Sequence, residues 1–279
     1  MSPFIPGEFL QKVKDVSPLV HCITNYVTCR DCANLLLACG ASPIMADEPA
    51  EVEDIAQMCN GLLINIGTLH QKSVESMIQA GRQANRLGRP ITFDPVGAGA
   101  STLRKQSSQK ILADLELSVI RGNVSEILTL ARGTGSSHGV DANAADCVSE
   151  QSLNRHVEMA IQFASTTKAI VAISGEIDII TDGESVGLVR NGCQIMPRIT
   201  GTGCMLSALV EAYVAAVSSD DWFRAVVAAH CAMGLAGERS RDFMHTAKTG
   251  TGSFSQYLID SIYNMTSEDL NQGAKYEIR

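Results

Sequence analysis

From Leu19 to Ile173 the chain alternates short apolar runs with longer amphipathic stretches. Leu19–Cys22, Pro43–Met45, Leu62–Ile66, Ile91–Phe93, Val119–Ile120 and Ala169–Ile173 are short and almost continuously apolar, the pattern of strands buried on both faces. Between them, Asp31–Cys39, Ala50–Cys59, Lys72–Leu87, Thr102–Leu115, Ser125–Leu130 and Asn154–Ala164 read as helices. Strand–helix alternation implies a mostly parallel sheet covered on both faces, a three-layer α/β/α arrangement. After Ile173 the rhythm changes. Asp182-Gly183 and Asn191-Gly192 are hairpin signals, and they predict strands Ile177–Thr181, Ser185–Arg190 and Cys193–Met196 as an antiparallel meander on one sheet edge. Met205–Val217, Asp220–Glu238 and Ser253–Asn264 then read as helices. No repeat and no Pro/Gly/Ser-rich linker interrupts the chain, so residues 1–279 are expected to form one domain.

Ligands of open parallel sheets bind beyond the carboxyl ends of the strands. The segments following the predicted strands are rich in the residues such a site needs: Thr24-Asn25, Asn65 with Gly67-Thr68, Asp94-Pro95-Val96-Gly97-Ala98-Gly99, Arg121-Gly122-Asn123 and Ser174-Gly175-Glu176. A sixth segment, Ile199-Thr200-Gly201-Thr202-Gly203-Cys204, opens the helix Met205–Val217. Its glycines let backbone approach a ligand, and the helix start offers free N–H groups and a positive dipole end to an anion. No Gly-x4-Gly-Lys-Ser/Thr or Gly-x-Gly-x-x-Gly is present, which excludes a P-loop and argues against a dinucleotide fold.

Bulk composition narrows the partners. Apolar content of 45% and charge of 19% over 279 residues describe an ordinary globular protein. A net charge of −8 argues against nucleic acid and anionic membrane as partners. No stretch is long and apolar enough to span a bilayer, and the start lacks a signal-peptide core, so a cytoplasmic location is expected. The nine cysteines are odd in number and several lie in apolar runs, as reduced core thiols do; Cys29-Arg30-Asp31-Cys32 has no second CxxC with which to build a zinc site.

Each motif has a plainer reading. Asp94 at a strand end can reach a magnesium ion or its waters, and Asp-Pro can equally start a turn. Asn123 and Glu126 can hold a metal's hydration shell, and the same spacing makes a helix capping box. Arg121 can neutralise phosphate charge. Ser174 can meet a nucleotide phosphate or begin a turn. His21 and His230 read as satisfied core histidines rather than bases.

Taken together, the motifs are similar to those of the hydroxyethylthiazole kinase family of the ribokinase-like superfamily. The resemblance spans nearly the whole chain. It is carried by Pro18–Asn25, Ala33-Asn34, Gly40–Ala46, Ile66-Gly67-Thr68, Asp94–Gly99, Arg121–Ile127, Gly139-Val140-Asp141, Gly201-Thr202-Gly203-Cys204 and Gly252-Ser253-Phe254. The cysteine of the glycine turn is diagnostic, since sugar kinases of the superfamily carry aspartate there. The resemblance implies a ribokinase-like fold without a separate lid domain. It also implies ATP- and magnesium-dependent phosphorylation of 4-methyl-5-(2-hydroxyethyl)thiazole, and a homotrimer with active sites at subunit interfaces. Carried over by position, Met45, Gly201, Asn25, Gly67 and Thr68 would border the thiazole. Arg121, Ser174, Thr202 and Gly203 would hold ATP, Asp94 and Glu126 would organise Mg2+, and Cys204 would stand at the reacting centre. One departure from the family's usual pattern is Tyr26–Cys32, which places Arg30 and Asp31 near the expected pocket and subunit contact.

A free thiol has a pKa of ~8.5, which a helix start lowers and a neighbouring phosphate raises. A loose phosphoryl-transfer transition state does not need a strong base. Cys204 is therefore expected to position substrate and act as a modest proton acceptor. The rival readings are a kinase for another small alcohol such as hydroxymethylpyrimidine, a ribokinase-like nucleotide-repair dehydratase, and a non-catalytic thiazole-binding module.

Overall fold

The structure, a computed structural model, describes residues 3–133, 150 and 152–279. Strands β1 (Leu19–Ile23), β2 (Ser42–Ile44), β3 (Gly61–Asn65), β4 (Ile91–Asp94), β5 (Val119–Asn123), β6 (Ile170–Ser174), β7 (Asp178–Thr181), β8 (Val186–Val189) and β9 (Tyr276–Ile278) form one sheet. Their order is β2-β1-β3-β4-β5-β6-β7-β8-β9. From β2 to β6 every pairing is parallel, and from β6 to β9 every pairing is antiparallel.

Alternation of side chains across the strands divides the interior in two. Leu63, Val20, Ile170 and Ala172 join one apolar cluster, whereas Leu62, Ile64, Val171 and Ile173 join the other. The first cluster is completed by α1 (Pro6–Val16), α2 (Cys29–Cys39), α8 (Thr202–Ala215), α9 (Trp222–Ala247), α10 (Thr251–Tyr263) and α11 (Ser267–Gly273). The second is completed by α3 (Val52–Met58), α4 (Gln71–Arg86), α5 (Thr102–Asp114), α6 (Val124–Gly133) and α7 (Leu153–Thr167). This is the expected three-layer α/β/α fold. Helix α8 packs between α2 and α9 and lies over β1, β3 and β4, so its first turn arrives at the carboxyl edge of the parallel strands.

The meander differs from expectation at its outer strand. Cys193–Met196 is not a strand; the chain turns there and enters a short 3-10 segment, Met196–Arg198. Asn191 is the cause. Its Nδ2 donates to Glu238 at 3.1 Å and to the Gly273 carbonyl at 2.9 Å, and its Oδ1 accepts from Lys275 N at 2.7 Å. These bonds draw the chain toward α9 and bring the C-terminal segment alongside β8 as β9. The Asp182-Gly183 hairpin forms as predicted, with Gly183 in the left-handed region at φ 99°. Helix α1 was hidden by Pro6 and Gly7; proline stands there in the first turn, where its missing N–H costs nothing.

Candidate active site

Strands β1, β4, β5 and β6 extend past the ends of their apolar runs, whereas β2 and β3 stop one residue short of theirs. Asn65 ends β3, Asp94 ends β4, Arg121 to Asn123 end β5 and Ser174 ends β6. Register places Asn65 beside Asp94 and Asn123 beside Ser174. Met45 follows β2, whose Ile44 pairs with His21 of β1, so it stands at the same sheet edge.

A relay of buried amides links the central residues. Asn25 Nδ2 donates to Cys204 Sγ at 3.2 Å and to Asn65 Oδ1 at 3.0 Å. Asn65 Nδ2 donates to Asp94 Oδ2 at 2.8 Å, and the same oxygen accepts from Ser207 Oγ at 2.7 Å. Asn25 Oδ1 in turn accepts from Thr28 N and Oγ1, each at 3.0 Å. Asn65 Oδ1 also accepts from Gly67 N at 2.9 Å, and Thr68 Oγ1 accepts from Tyr26 N at 3.2 Å. Asn25, Gly67, Asp94 and Cys204 thus meet in one hydrogen-bonded group through Asn65, with Thr68 tied to the residue that follows Asn25. Two glycines permit it: a Cβ on Gly67 would stand 2.8 Å from Asn25 Cβ, and one on Gly201, at φ +90°, would stand 2.5 Å from Thr28 Cγ2.

Gly201 caps α8, and the N–H groups of Thr202, Gly203 and Cys204 lie in the first turn, where they have no intrahelical partner. The Thr202 hydroxyl donates back to the Met196 carbonyl at 3.2 Å, so this residue offers a ligand its backbone rather than its hydroxyl proton. Arg121 crosses from β5 to this turn. Its Nη1 donates to the Gly203 carbonyl at 2.9 Å and its Nη2 to Ser174 Oγ at 2.6 Å. Ser174 therefore meets the guanidinium rather than starting a turn. Arg121 is only 6% exposed, and its Nε has no partner among the described residues.

Glu126 fulfils the capping reading: its Oε2 accepts from Asn123 N at 2.8 Å, and Asn123 Oδ1 accepts from Glu126 N at 3.0 Å. Its other oxygen accepts from Gly97 N at 2.8 Å, which draws the loop after β4 toward it. Burial pushes the Asp94 carboxyl up to about 6, with Glu126 adding to the rise and Arg121 opposing it. A cation beside these carboxylates would relieve their repulsion. Among the described residues no three His, Cys, Asp or Glu side chains converge as a metal cage. Two carboxylates suit magnesium held largely through water and phosphate oxygens.

Burial also raises the Cys204 thiol, with Asp94 adding to the shift and hydrogen bonds from neighbouring side chains opposing it. Desolvation thus outweighs the lowering expected from a helix start, and the group is a thiol at neutral pH. The eight cysteines among the described residues are all free. His21 Nε2 bonds to the Ala46 carbonyl and His230 Nδ1 to Asp178 Oδ2, so both are interior histidines, but only half satisfied: His21 Nδ1 and His230 Nε2 are buried with no partner among the described residues.

Two contributors escaped the sequence reading. Ser207 lies one turn beyond Cys204, a spacing that puts both on the same helix face. Arg104, in α5, bonds to backbone of two site loops. Glu211, also on α8, lies outside the site: it is buried against Gly61 at the amino-terminal end of β3, where burial holds its carboxyl well above the usual carboxylate range. Gly139-Val140-Asp141 lies outside the described residues.

The pyridoxal kinase of Staphylococcus aureus, solved with AMP-PCP and pyridoxal, matches 94% of this chain and 98% of its own at a TM-score of 0.61 and 13% identity. That likeness concerns the fold alone and sets the class: a ribokinase-like kinase fold. Residues 10–268 match the model of the hydroxyethylthiazole kinase family. A hydroxyethylthiazole kinase of Clostridium acetobutylicum is 48% identical over 97% of this chain and 98% of its own. The hydroxyethylthiazole kinase structure from Pyrococcus horikoshii OT3 matches 98% of both chains at 34% identity and a TM-score of 0.86. The chain belongs to the hydroxyethylthiazole kinase family. Among the described residues, no helix is long and apolar enough to cross a membrane.

Proposed function

We propose that this chain transfers the terminal phosphoryl group of ATP to the primary alcohol of 4-methyl-5-(2-hydroxyethyl)thiazole, giving the thiazole phosphate consumed in thiamine phosphate synthesis. Family membership supports the substrate. The observation that carries the chemistry is the Arg121 bridge to Gly203 and Ser174, set directly beside the Asn25–Asn65–Asp94 relay.

Phosphoryl transfer proceeds through a loose transition state, so position and charge neutralisation supply most of the catalysis. Arg121 and Ser174 hold ATP phosphates. The first-turn N–H groups of Thr202, Gly203 and Cys204 cradle the phosphoryl group in transit. Met45, Asn25, Gly67, Thr68 and Gly201 border the alcohol. Cys204, a thiol rather than a thiolate, only orients the hydroxyl, whose proton leaves late to an oxygen of the transferred phosphoryl group or to water. Asp94 and Glu126 are the residues that would hold Mg2+, which supplies further neutralisation of phosphate charge when bound.

We place the active assembly as a homotrimer with sites at subunit interfaces, acting in the cytoplasm. Tyr26 and Val27, 80% and 58% exposed, form an apolar surface next to Asn25 and support an interface there. Light scattering on the purified protein is expected to give three chains per particle; a monomer would refute that assembly. The activity is tested by incubating the protein with the thiazole alcohol, ATP and magnesium and weighing the product. The expected result is an alcohol that gains one phosphoryl group, with equimolar ADP. Consumption of ATP without that product, or preference for the hydroxymethylpyrimidine alcohol, contradicts the assignment.

A further inference from the structure

Arg104 stands in the first turn of α5, where its N–H donates to the Ser101 cap at 3.2 Å. Its guanidinium makes no ion pair of 4.0 Å or less among the described residues, and its donors go to backbone carbonyls. Nη1 donates to Ile66 O at 2.5 Å and to Val96 O at 2.7 Å, and Nη2 donates to Gly67 O at 2.7 Å. These carbonyls lie past the ends of β3 and β4, beyond the sheet ladder, and each needs a donor.

The Val96–Gly97 peptide is gripped at both ends. Its oxygen accepts from Arg104, while its N–H donates to Glu126 Oε1 at 2.8 Å. Gly97 has a positive φ of 65°, and a Cβ there would lie 3.7 Å from Arg104 Cδ and Nη1. The Gly67 unit is held in a similar way: its N–H donates to Asn65 Oδ1 at 2.9 Å and its carbonyl accepts from Arg104. Arg104 is thus the link between two loops. One carries Gly67 and Thr68; the other is tied to Glu126. A planar guanidinium with five donors can serve three carbonyls at once, whereas an ammonium on a flexible stem cannot hold that geometry.

We propose that Arg104 is a positioning residue that fixes the alcohol-binding loop against the Glu126 carboxylate, and so sets how the acceptor hydroxyl meets the phosphoryl group. This inference rests on the assignment of Gly67 and Thr68 to the alcohol and of Glu126 to magnesium. Misplacement by about an ångström costs up to about a hundredfold in rate. In the Arg104→Ala enzyme, KM for the thiazole alcohol and half-saturating magnesium are each expected to rise about tenfold while KM for ATP stays within about twofold. Guanidinium ion at millimolar, non-denaturing concentration is expected to restore part of the lost kcat/KM. Arg104→Lys keeps the charge without the fork and carries the same test if the alanine variant fails to fold; it is expected to show the same rise in both constants at a smaller size.

A fall in kcat with all three constants unchanged would mean a purely structural arginine and would overturn the inference, as would wild-type kinetics in both variants. Thr68→Val and Glu126→Gln are measured alongside. If the former leaves the alcohol KM unchanged and the latter leaves magnesium dependence unchanged, the underlying site assignment fails and the inference falls with it. If both shift while the Arg104 variants do not, the inference alone fails.

Discussion

The strands on either side of Asp94 equip the site in opposite ways. Just past β1 and at the end of β3 the site is floored by neutral side-chain amides, Asn25 and Asn65, whose donors and acceptors are largely satisfied by one another, by Thr28 and by Gly67. On β5 and β6 it is floored by a nearly buried cation, Arg121, whose Nη1 and Nη2 serve a carbonyl and a hydroxyl while its Nε has no partner among the described residues. A closed amide relay fixes shape and adds no charge. A buried arginine with a spare donor is preorganised for an anion. In the proposed function this difference divides the work: the first region would orient an uncharged alcohol, and the second would neutralise the charge that moves. The antiparallel half of the sheet supplies neither.

The most severe break in that comparison is removal of the cation. Arg121→Met is expected to lower kcat/KM about a thousandfold. Retention of activity within tenfold of wild type in steady-state assays would erase the distinction between the two regions. Asp94→Asn, at the junction of the two, is expected to cost about a hundredfold in activity and to change the pH dependence of stability. The folded carboxyl titrates at about 6 against an ordinary 3.8. The folded state therefore holds its proton more tightly, and the associated stability is complete below the ordinary value and lost as pH rises through about 6. The asparagine variant lacks that loss. The unfolding free energy from urea titrations without magnesium is expected to fall less between pH 4 and pH 7 in the variant, by about 1–3 kcal/mol; equal falls would remove Asp94 as the cause.

A smaller effect sharpens the nucleotide region. Asp178 Oδ1 accepts from Gly175 N at 2.9 Å and its Oδ2 bonds to buried His230, which pins the turn after Ser174. Asp178→Ala is expected to raise KM for ATP about fivefold and leave that for the alcohol unchanged; a rise in the alcohol KM instead would place this turn in the other region. The smallest effect is expected at the residue most conspicuous in the sequence. Cys204→Ser is expected to reduce kcat less than about tenfold, since a protonated thiol that only orients the substrate is closely imitated by a hydroxyl.

How far the sequence spoke followed from which interactions are local. Helical and strand periods are local, so the parallel strands and the α/β/α layering could be read. The glycine turn before α8 and the Asn123–Glu126 cap are local as well, and both stand where they were expected. The outer strand of the meander was misplaced because Asn191 binds groups of α9 and of the C-terminal segment, remote in sequence. Ser207 is an ordinary polar residue until β4 sets Asp94 beneath it. Arg104 looks like a surface arginine in an amphipathic helix, and only the tertiary fold brings it two loops of carbonyls. Cys204 drew attention as a nucleophile-like group at a helix start, yet the burial that keeps it a thiol comes from distant elements.

The division between an orienting region and a charge-neutralising one stands or falls on whether the thiol removes a proton. The direct measurement is the pH dependence of kcat at saturating alcohol, ATP and magnesium, for wild type and Cys204→Ser together. The two profiles are expected to share one shape, displaced by a constant factor at every pH. A limb in the wild type that rises through the thiol's titration, and vanishes in the serine enzyme, would show a thiolate acting as base and contradict the account.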